Sequence, residues 1–128
     1  MIYLDTSVAL AHLLAEDRSP PDALWRETLV ASRLLEYELW TRLHARGLES
    51  SHGELAAELT ARLAFLELSA PVLERALKPF PAALRTSDAL HLASADFLRG
   101  RGLEVEIATY DERFAQAARA LGFALNPL

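Results

Sequence analysis

The chain alternates short apolar runs with longer stretches in which apolar residues return every three or four positions. Ile2 to Leu4 is the first such run and ends at Asp5-Thr6-Ser7, after which Val8, Leu10, Ala11, Leu13 and Leu14 return at helical spacing. That predicts a strand, a cap and a helix. Ser19-Pro20-Pro21-Asp22 breaks the pattern, and Thr28-Leu29-Val30-Ala31 is a second apolar run leading into Ser32, a candidate N-cap. The helix that follows is predicted from about Arg33 to Arg46 and stops at Gly47. Another amphipathic helix is predicted over 52–65, with Phe65-Leu66-Glu67-Leu68 as a weak strand and a helix from Pro71 to about Lys78. Pro79 and Pro81 mark a loop. A helix is predicted from Ser87 to Gly100, a strand over Val105 to Thr109, a helix from Glu112 to Leu121 stopped by Gly122, and a final strand at Phe123-Ala124-Leu125.

Five short strands separated by helices imply a parallel sheet covered on both faces, because parallel neighbours need crossover connections. The expected fold class is therefore α/β, a three-layer α/β/α arrangement around a five-stranded parallel sheet. With 128 residues and no linker, repeat or low-complexity tract, one domain spanning 1–128 is expected. About two-thirds of the unfolded surface can be buried at this length, so the core needs no staples. In such sheets ligands collect beyond the carboxyl ends of the strands, where strand order reverses. Asp5 and Asp111 each stand where an apolar run hands over to a helix, which is that edge.

Composition narrows the chemistry. There is no cysteine, which removes disulfides, thiolate zinc sites and cysteine nucleophiles together. The N-terminal stretch has no leading Lys or Arg, and no apolar run approaches the ~20 residues that span a bilayer. A cytoplasmic protein without membrane contact is the expectation. The net charge is −5, whereas a passive nucleic-acid binder carries a basic excess, so any phosphate affinity needs a local cause. The glycines fit neither the Walker nor the dinucleotide spacing, and no GxSxG elbow surrounds a serine.

What remains is the placement of carboxylates. Of six Asp residues, Asp5, Asp88 and Asp111 fall at helix starts or strand ends, and Glu38 lies in the mostly apolar LLEYELW. Each Asp alone has an ordinary explanation as an N-cap or first-turn acid. Strand-edge positions of one parallel sheet converge in space, however, and the ordinary explanation weakens for the set. Glu36 competes with Glu38: on a helical wheel Leu35, Leu39, Leu43 and Trp40 form the buried arc, Glu38 lies at its flank beside Arg42, and Glu36 falls inside it. The wheel favours neither. An i,i+4 pair between Glu38 and Arg42 is the structural alternative, worth about 0.2–0.5 kcal/mol.

The segments IYLDTSVALAHLL, SRLLEYELWTRLHARG, RTSDALHLASA and IATYDERFAQAARALG, in this order and spacing, resemble the PIN-domain ribonuclease family, and within it the VapC-type toxins of toxin–antitoxin pairs. The resemblance covers essentially the whole chain. It implies an Mg²⁺-dependent endoribonuclease whose acidic site falls on Asp5, Glu38, Asp88 and Asp111, with Glu38 selected over Glu36 and Thr6 as a supporting hydroxyl. It also implies an RNA substrate, a cognate antitoxin that holds the toxin inactive, and a homodimer. Clustered carboxylates repel by about 4 kcal/mol per pair at 4 Å and an effective dielectric of 20, and a divalent cation is their natural partner. An all-oxygen donor set favours Mg²⁺, with Mn²⁺ as a substitute. Such an ion turns an acidic patch into a phosphate receptor, which answers the charge objection. Arg42, Arg85 and Arg113 lie near the motif residues as candidate phosphate clamps.

Other residues read as structural. His91 is expected to be packed or hydrogen-bonded rather than a ligand, Asp96 to lie on the surface about 12 Å along its helix from Asp88, and Arg99 and Arg101 to mark a solvated helix end. Trp25, Trp40 and Tyr37 read as core or dimer packing. A phosphorylation-receiver domain shares length and sheet, but it needs an acceptor Asp after the third strand, where Leu68-Ser69-Ala70 stands, and a Lys after the fifth, whereas the only Lys is Lys78. A catalytically inactive PIN-fold binding module is the remaining alternative.

Overall fold

The computed structural model describes residues 1–128. Five strands, β1 (Ile2–Leu4), β2 (Leu29–Ser32), β3 (Ala64–Leu66), β4 (Glu106–Ala108) and β5 (Ala124–Leu125), form one sheet in the order β3-β2-β1-β4-β5. Every pairing is parallel. The helices are α1 (Thr6–Leu13), α2 (Leu34–Ala45), α3 (Glu49–Ala61), α4 (Ala70–Ala76), α5 (Thr86–Gly100) and α6 (Glu112–Ala120). Their boundaries follow the apolar periodicity, with α3 beginning and ending three to four residues earlier than its pattern suggests. A short 3₁₀ turn over Asp22–Arg26, after the Pro20-Pro21 break, was not anticipated.

The three layers follow from the two-residue period of the strands. Ile2 and Leu4 of β1 and Leu29 and Ala31 of β2 join one apolar cluster, with Leu35, Leu39 and Leu43 of α2 and Leu59 of α3. The intervening Tyr3 and Val30 point the other way, into a second cluster with Leu92 and Leu98 of α5 and Phe114 of α6. Both faces of the central strands are thereby buried, which is why they read as continuous apolar runs. Gly47 and Gly122 end α2 and α6 with positive φ angles of 63° and 90°, the left-handed geometry that glycine adopts at no steric cost. No helix is long and apolar enough to cross a membrane.

Strand order reverses at β1, whose neighbours β2 and β4 precede connections running in opposite directions across the sheet. The crevice beyond the carboxyl ends of β1 and β4 is therefore the place where the topology opens. Two of the residues read as structural sit differently from expectation. Asp96 is not a free surface acid but is clamped by Arg75 and Arg99. Arg99 packs its guanidinium 3.9 Å from the Phe123 ring rather than extending into water. Tyr37 is exposed, while Trp25 and Trp40 pack against the first cluster.

Candidate active site

β1 ends at Leu4, which pairs with Ala108 of β4, and the Asp5 amide continues the ladder to the Ala108 carbonyl at 3.0 Å. This sets Asp5 beside Thr109 and fixes the first corner of the site. Asp5 stands at the N-cap position of α1, yet its carboxylate caps nothing. Its Oδ2 instead accepts hydrogen bonds from the hydroxyls of Ser7 (2.6 Å) and Thr109 (2.8 Å), and the residue is 6% exposed. The same hydroxyls accept from the amides of Tyr110 and Asp111, at 2.9 and 3.0 Å. The two strand ends are thus locked through side chains that also orient Asp5.

Asp111 does act as a cap. Its Oδ1 accepts from the Arg113 and Phe114 amides at the start of α6, which leaves Oδ2 free of helix duties. That oxygen lies 3.6 Å from an Arg85 guanidinium nitrogen, and Arg85 Nε lies 3.4 Å from Asp88 Oδ2. Asp88 occupies the first turn of α5, and Arg85, at that helix's N-cap position, is the one cation in ion-pair contact with either acid. Arg85 itself is largely exposed. The bridge therefore joins α5 to the β4–α6 corner from the solvent side.

Glu38, on the second turn of α2, reaches the same edge. Its Oε1 accepts from the Thr6 hydroxyl at 2.8 Å and from His91 Nε2 at 2.6 Å. Burial pushes the Glu38 carboxyl up, but the hydrogen bond and field of His91, the Thr6 hydroxyl and the Arg42 charge together hold it below its ordinary value. It is ionised at neutral pH. Glu36 is drawn outward to Arg33, which also grips Glu67, so the pair of acids that the wheel left open is separated by what each binds. No ion pair joins Glu38 to Arg42; Arg42 is exposed and lines two depressions. One, of about 610 Å³, is also bordered by Ser7, Arg18, Tyr110 and Asp111. The other, of about 360 Å³, is bordered by Glu38, Tyr37 and Thr41. Arg113 offers the site its amide, while its side chain is exposed.

Asp5, Thr6, Glu38, Asp88, Arg85 and Asp111 are thus gathered at one edge of the sheet by a connected set of contacts, with Arg42 on the rim. As the side chains lie, no three acidic or imidazole groups stand close enough to enclose an ion. The donor set nevertheless fits a hard divalent cation. Asp5 Oδ1, Asp88 Oδ1 and Glu38 Oε2 make no hydrogen bond to the protein, whereas Asp5 Oδ2 and Glu38 Oε1 are each fixed by two hydrogen bonds and Asp88 Oδ2 meets only Arg85, at 3.4 Å. Mg²⁺ keeps several waters and needs only one or two direct carboxylates, so a loose all-oxygen set suits it. Sequence reasoning missed Ser7, Thr109 and Arg18 and set His91 aside. Ser7 and Thr109 carry a usable signal, since each is a hydroxyl residue just past the end of a central strand.

The sequence profile of the PIN domain matches residues 2–120. Ribonuclease VapC46 of Mycobacterium tuberculosis is 35% identical over 130 residues, covering 97% of this chain and 95% of the relative. Ribonuclease VapC47 of the same species is also 35% identical, covering 96% and 93%. Among solved structures, a toxin–antitoxin complex from Klebsiella pneumoniae superposes with a TM-score of 0.72 at 17% identity, covering 100% of this chain and 98% of that one. Mycobacterium tuberculosis VapC20, a sarcin–ricin loop cleaving toxin, superposes with a TM-score of 0.68 at 21% identity, covering 99% and 100%. The two superpositions establish the three-layer fold, and the sequence matches establish that this chain belongs to the PIN-domain family, among its VapC ribonucleases.

Proposed function

We propose that the protein is an Mg²⁺-dependent endoribonuclease and the toxin of a toxin–antitoxin pair, with Asp5, Asp88 and Asp111 holding the ion and Glu38 completing the site. The observation that carries this reading is an undercompensated acidic edge: nearly buried Asp5 has no cation at all, and nearly buried Asp88 shares one exposed arginine with Asp111 on the rim. Burying charge without a partner costs several kcal/mol, and such arrangements persist where something else binds. When bound, the ion supplies positive charge against the scissile phosphate and makes water a better nucleophile. The chain's own residues do the rest. Ser7 and Thr109 hold Asp5, Thr6 holds Glu38, and Arg85 is released from two carboxylates to bind a phosphate. Arg42 and Arg18 flank the adjoining groove, where they meet the backbone of an RNA strand.

The VapC ribonuclease relatives and the similarly folded toxin–antitoxin complex support an RNA substrate and a protein antitoxin. Homodimerisation and a cytoplasmic site of action belong to the same proposal. The decisive experiment incubates the protein with total RNA in Mg²⁺ and maps the 5′ ends produced, with EDTA and Asp5→Asn as controls. Discrete ends that vanish in both controls are expected. Cleavage that persists with Asp5→Asn, or growth arrest unchanged by it, would instead point to a PIN-fold module acting only through protein contacts.

A further inference from the structure

Behind Glu38 lies a buried polar chain that the proposed chemistry does not itself require. His91 is 2% exposed and sits one turn of α5 beyond Asp88. Its Nδ1 meets the Tyr3 hydroxyl at 2.7 Å, and Tyr3, in the middle of β1, is wholly buried. Its Nε2 meets Glu38 Oε1 at 2.6 Å and Thr6 Oγ1 at 3.2 Å. A carboxylate only accepts, so Nε2 carries the proton and donates it to Glu38. Tyr3 and Phe114 close on the imidazole edge to face, with interplanar angles of 76° and 87°. The ring is therefore fixed in position, in rotation and in tautomer.

The contact also spans the molecule. Glu38 belongs to the helix layer on one face of the sheet and His91 to the layer on the other, and their bond passes around the carboxyl edge where the acids collect. Both protein hydrogen bonds to Glu38 end on Oε1, which leaves Oε2 without a protein partner. An exposed glutamate on a helix samples several rotamers; here one oxygen is pinned and the other is presented.

We propose that His91, seated on Tyr3, is a positioning residue that fixes the Glu38 carboxylate so that Oε2 alone serves the site. The inference rests on the reading of Glu38 as part of a metal-dependent nuclease centre. The imidazole acts as a fixed donor and exchanges no proton in the reaction. Partners of this kind behind a metal-site carboxylate are worth about 10–100-fold in metal affinity or activity.

The test compares His91→Leu, His91→Gln and Tyr3→Phe in the full-length protein. Mn²⁺ alone is titrated by calorimetry, and kcat and KM are measured on an oligoribonucleotide in Mg²⁺. His91→Leu is expected to weaken Mn²⁺ binding or lower kcat by about 10–100-fold with KM little changed. His91→Gln, whose side-chain amide can donate where Nε2 did, is expected to restore most of the loss. Glu38→Ala and Glu38→Ala/His91→Leu should then be indistinguishable, because His91 works only through Glu38. A folded His91→Leu within twofold of the parent in both measurements overturns the proposal, as does a loss that adds fully to that of Glu38→Ala. If the His91 variants do not fold, Tyr3→Phe decides by removing only the anchoring hydroxyl: a several-fold loss in the same direction supports the chain, and parent-like behaviour refutes it. Should Glu38→Ala itself cleave and bind Mn²⁺ as the parent does, the reading of the site fails, a result separate from failure of the His91 role.

Discussion

Two aspartates on one helix show how differently the fold treats the same side chain. Asp96, on the third turn of α5, has each oxygen on an arginine: Arg75 Nε at 2.7 Å from Oδ2 and Arg99 at 2.8 Å from Oδ1. Asp88, in the first turn, is more buried, with a side chain 10% exposed against 23%, yet its only cation is Arg85 at 3.4 Å. If charge compensation followed burial, the two would be reversed. The better-buried acid is left short of partners at the acidic corner, where its one arginine is shared with Asp111. The shallower one is fully paired because it ties α4 to α5. One carboxylate is fully engaged in holding two helices, and the other keeps an oxygen without a protein partner.

The largest effect expected from this contrast is in cleavage. Asp88→Asn should reduce RNA cleavage by about 10³-fold or more, the scale of several kcal/mol of lost charge stabilisation. Asp96→Asn should leave cleavage unchanged. Stability should move the opposite way. Without metal, Asp88→Asn removes a buried charge and should melt no lower than the parent, whereas Asp96→Asn orphans two arginines and should lose about 0.5–1 kcal/mol, or roughly 2–6 °C. Paired assays of cleavage and metal-free melting check both. An inactive Asp96→Asn with a normal melting temperature, or an Asp88→Asn that melts far below the parent, would erase the distinction.

The contrast was only half legible in the sequence. The strands could be read because both faces of the central sheet are buried, leaving continuous apolar runs, and the helices because one face of each is buried and the other solvated, which gives the helical period. β3 was the weakest reading, since it is a three-residue edge strand whose exposed and half-buried residues give little alternation. Asp5, Asp88 and Asp111 stood out through their places at strand ends and helix starts. Local spacing, however, could not tell Asp111, which caps its helix, from Asp5, which does not. The environment of Asp96 was hidden because Arg75 comes from another helix, 21 residues back. His91 was legible as a packed, hydrogen-bonded imidazole, but not its partners: Tyr3 and Glu38 lie 88 and 53 residues away, and only the closed fold brings them together. Glu36 was misplaced by the wheel because the wheel knows nothing of Arg33 and its second partner Glu67 beyond β3.

A smaller effect sharpens the same comparison through metal. A ligand that binds only the folded state stabilises it by RT ln(1 + [L]/Kd), about 2.7 kcal/mol at a hundred times Kd. Mg²⁺ or Mn²⁺ at that excess should raise the melting temperature of the parent and of Asp96→Asn by the same amount, on the order of 10 °C. Asp88→Asn should gain far less. Equal gains in all three proteins would mean that the ion binds elsewhere.

The smallest effect is in the response to acid. Burial alone would push the Asp96 carboxyl up, but its hydrogen bonds to Arg75 and Arg99, with their charges, hold it below its ordinary value of 3.8. A group whose pKa is depressed by folding contributes stability that is fully present above its unfolded value and is lost as pH falls through its folded value. The Asp96 contribution is therefore intact at neutral pH and disappears below about pH 4. Denaturant melts of the parent and Asp96→Asn should differ by a constant amount from pH 7 to 5 and converge below pH 4 as the parent's carboxylate takes up its proton. The clamp is partly open to solvent, so the gap should stay within about 1 kcal/mol and shrink in high salt. Curves that remain parallel down to pH 2 would show that Asp96 contributes through packing rather than charge, and its resemblance to Asp88 would then be closer than the ion pairs suggest.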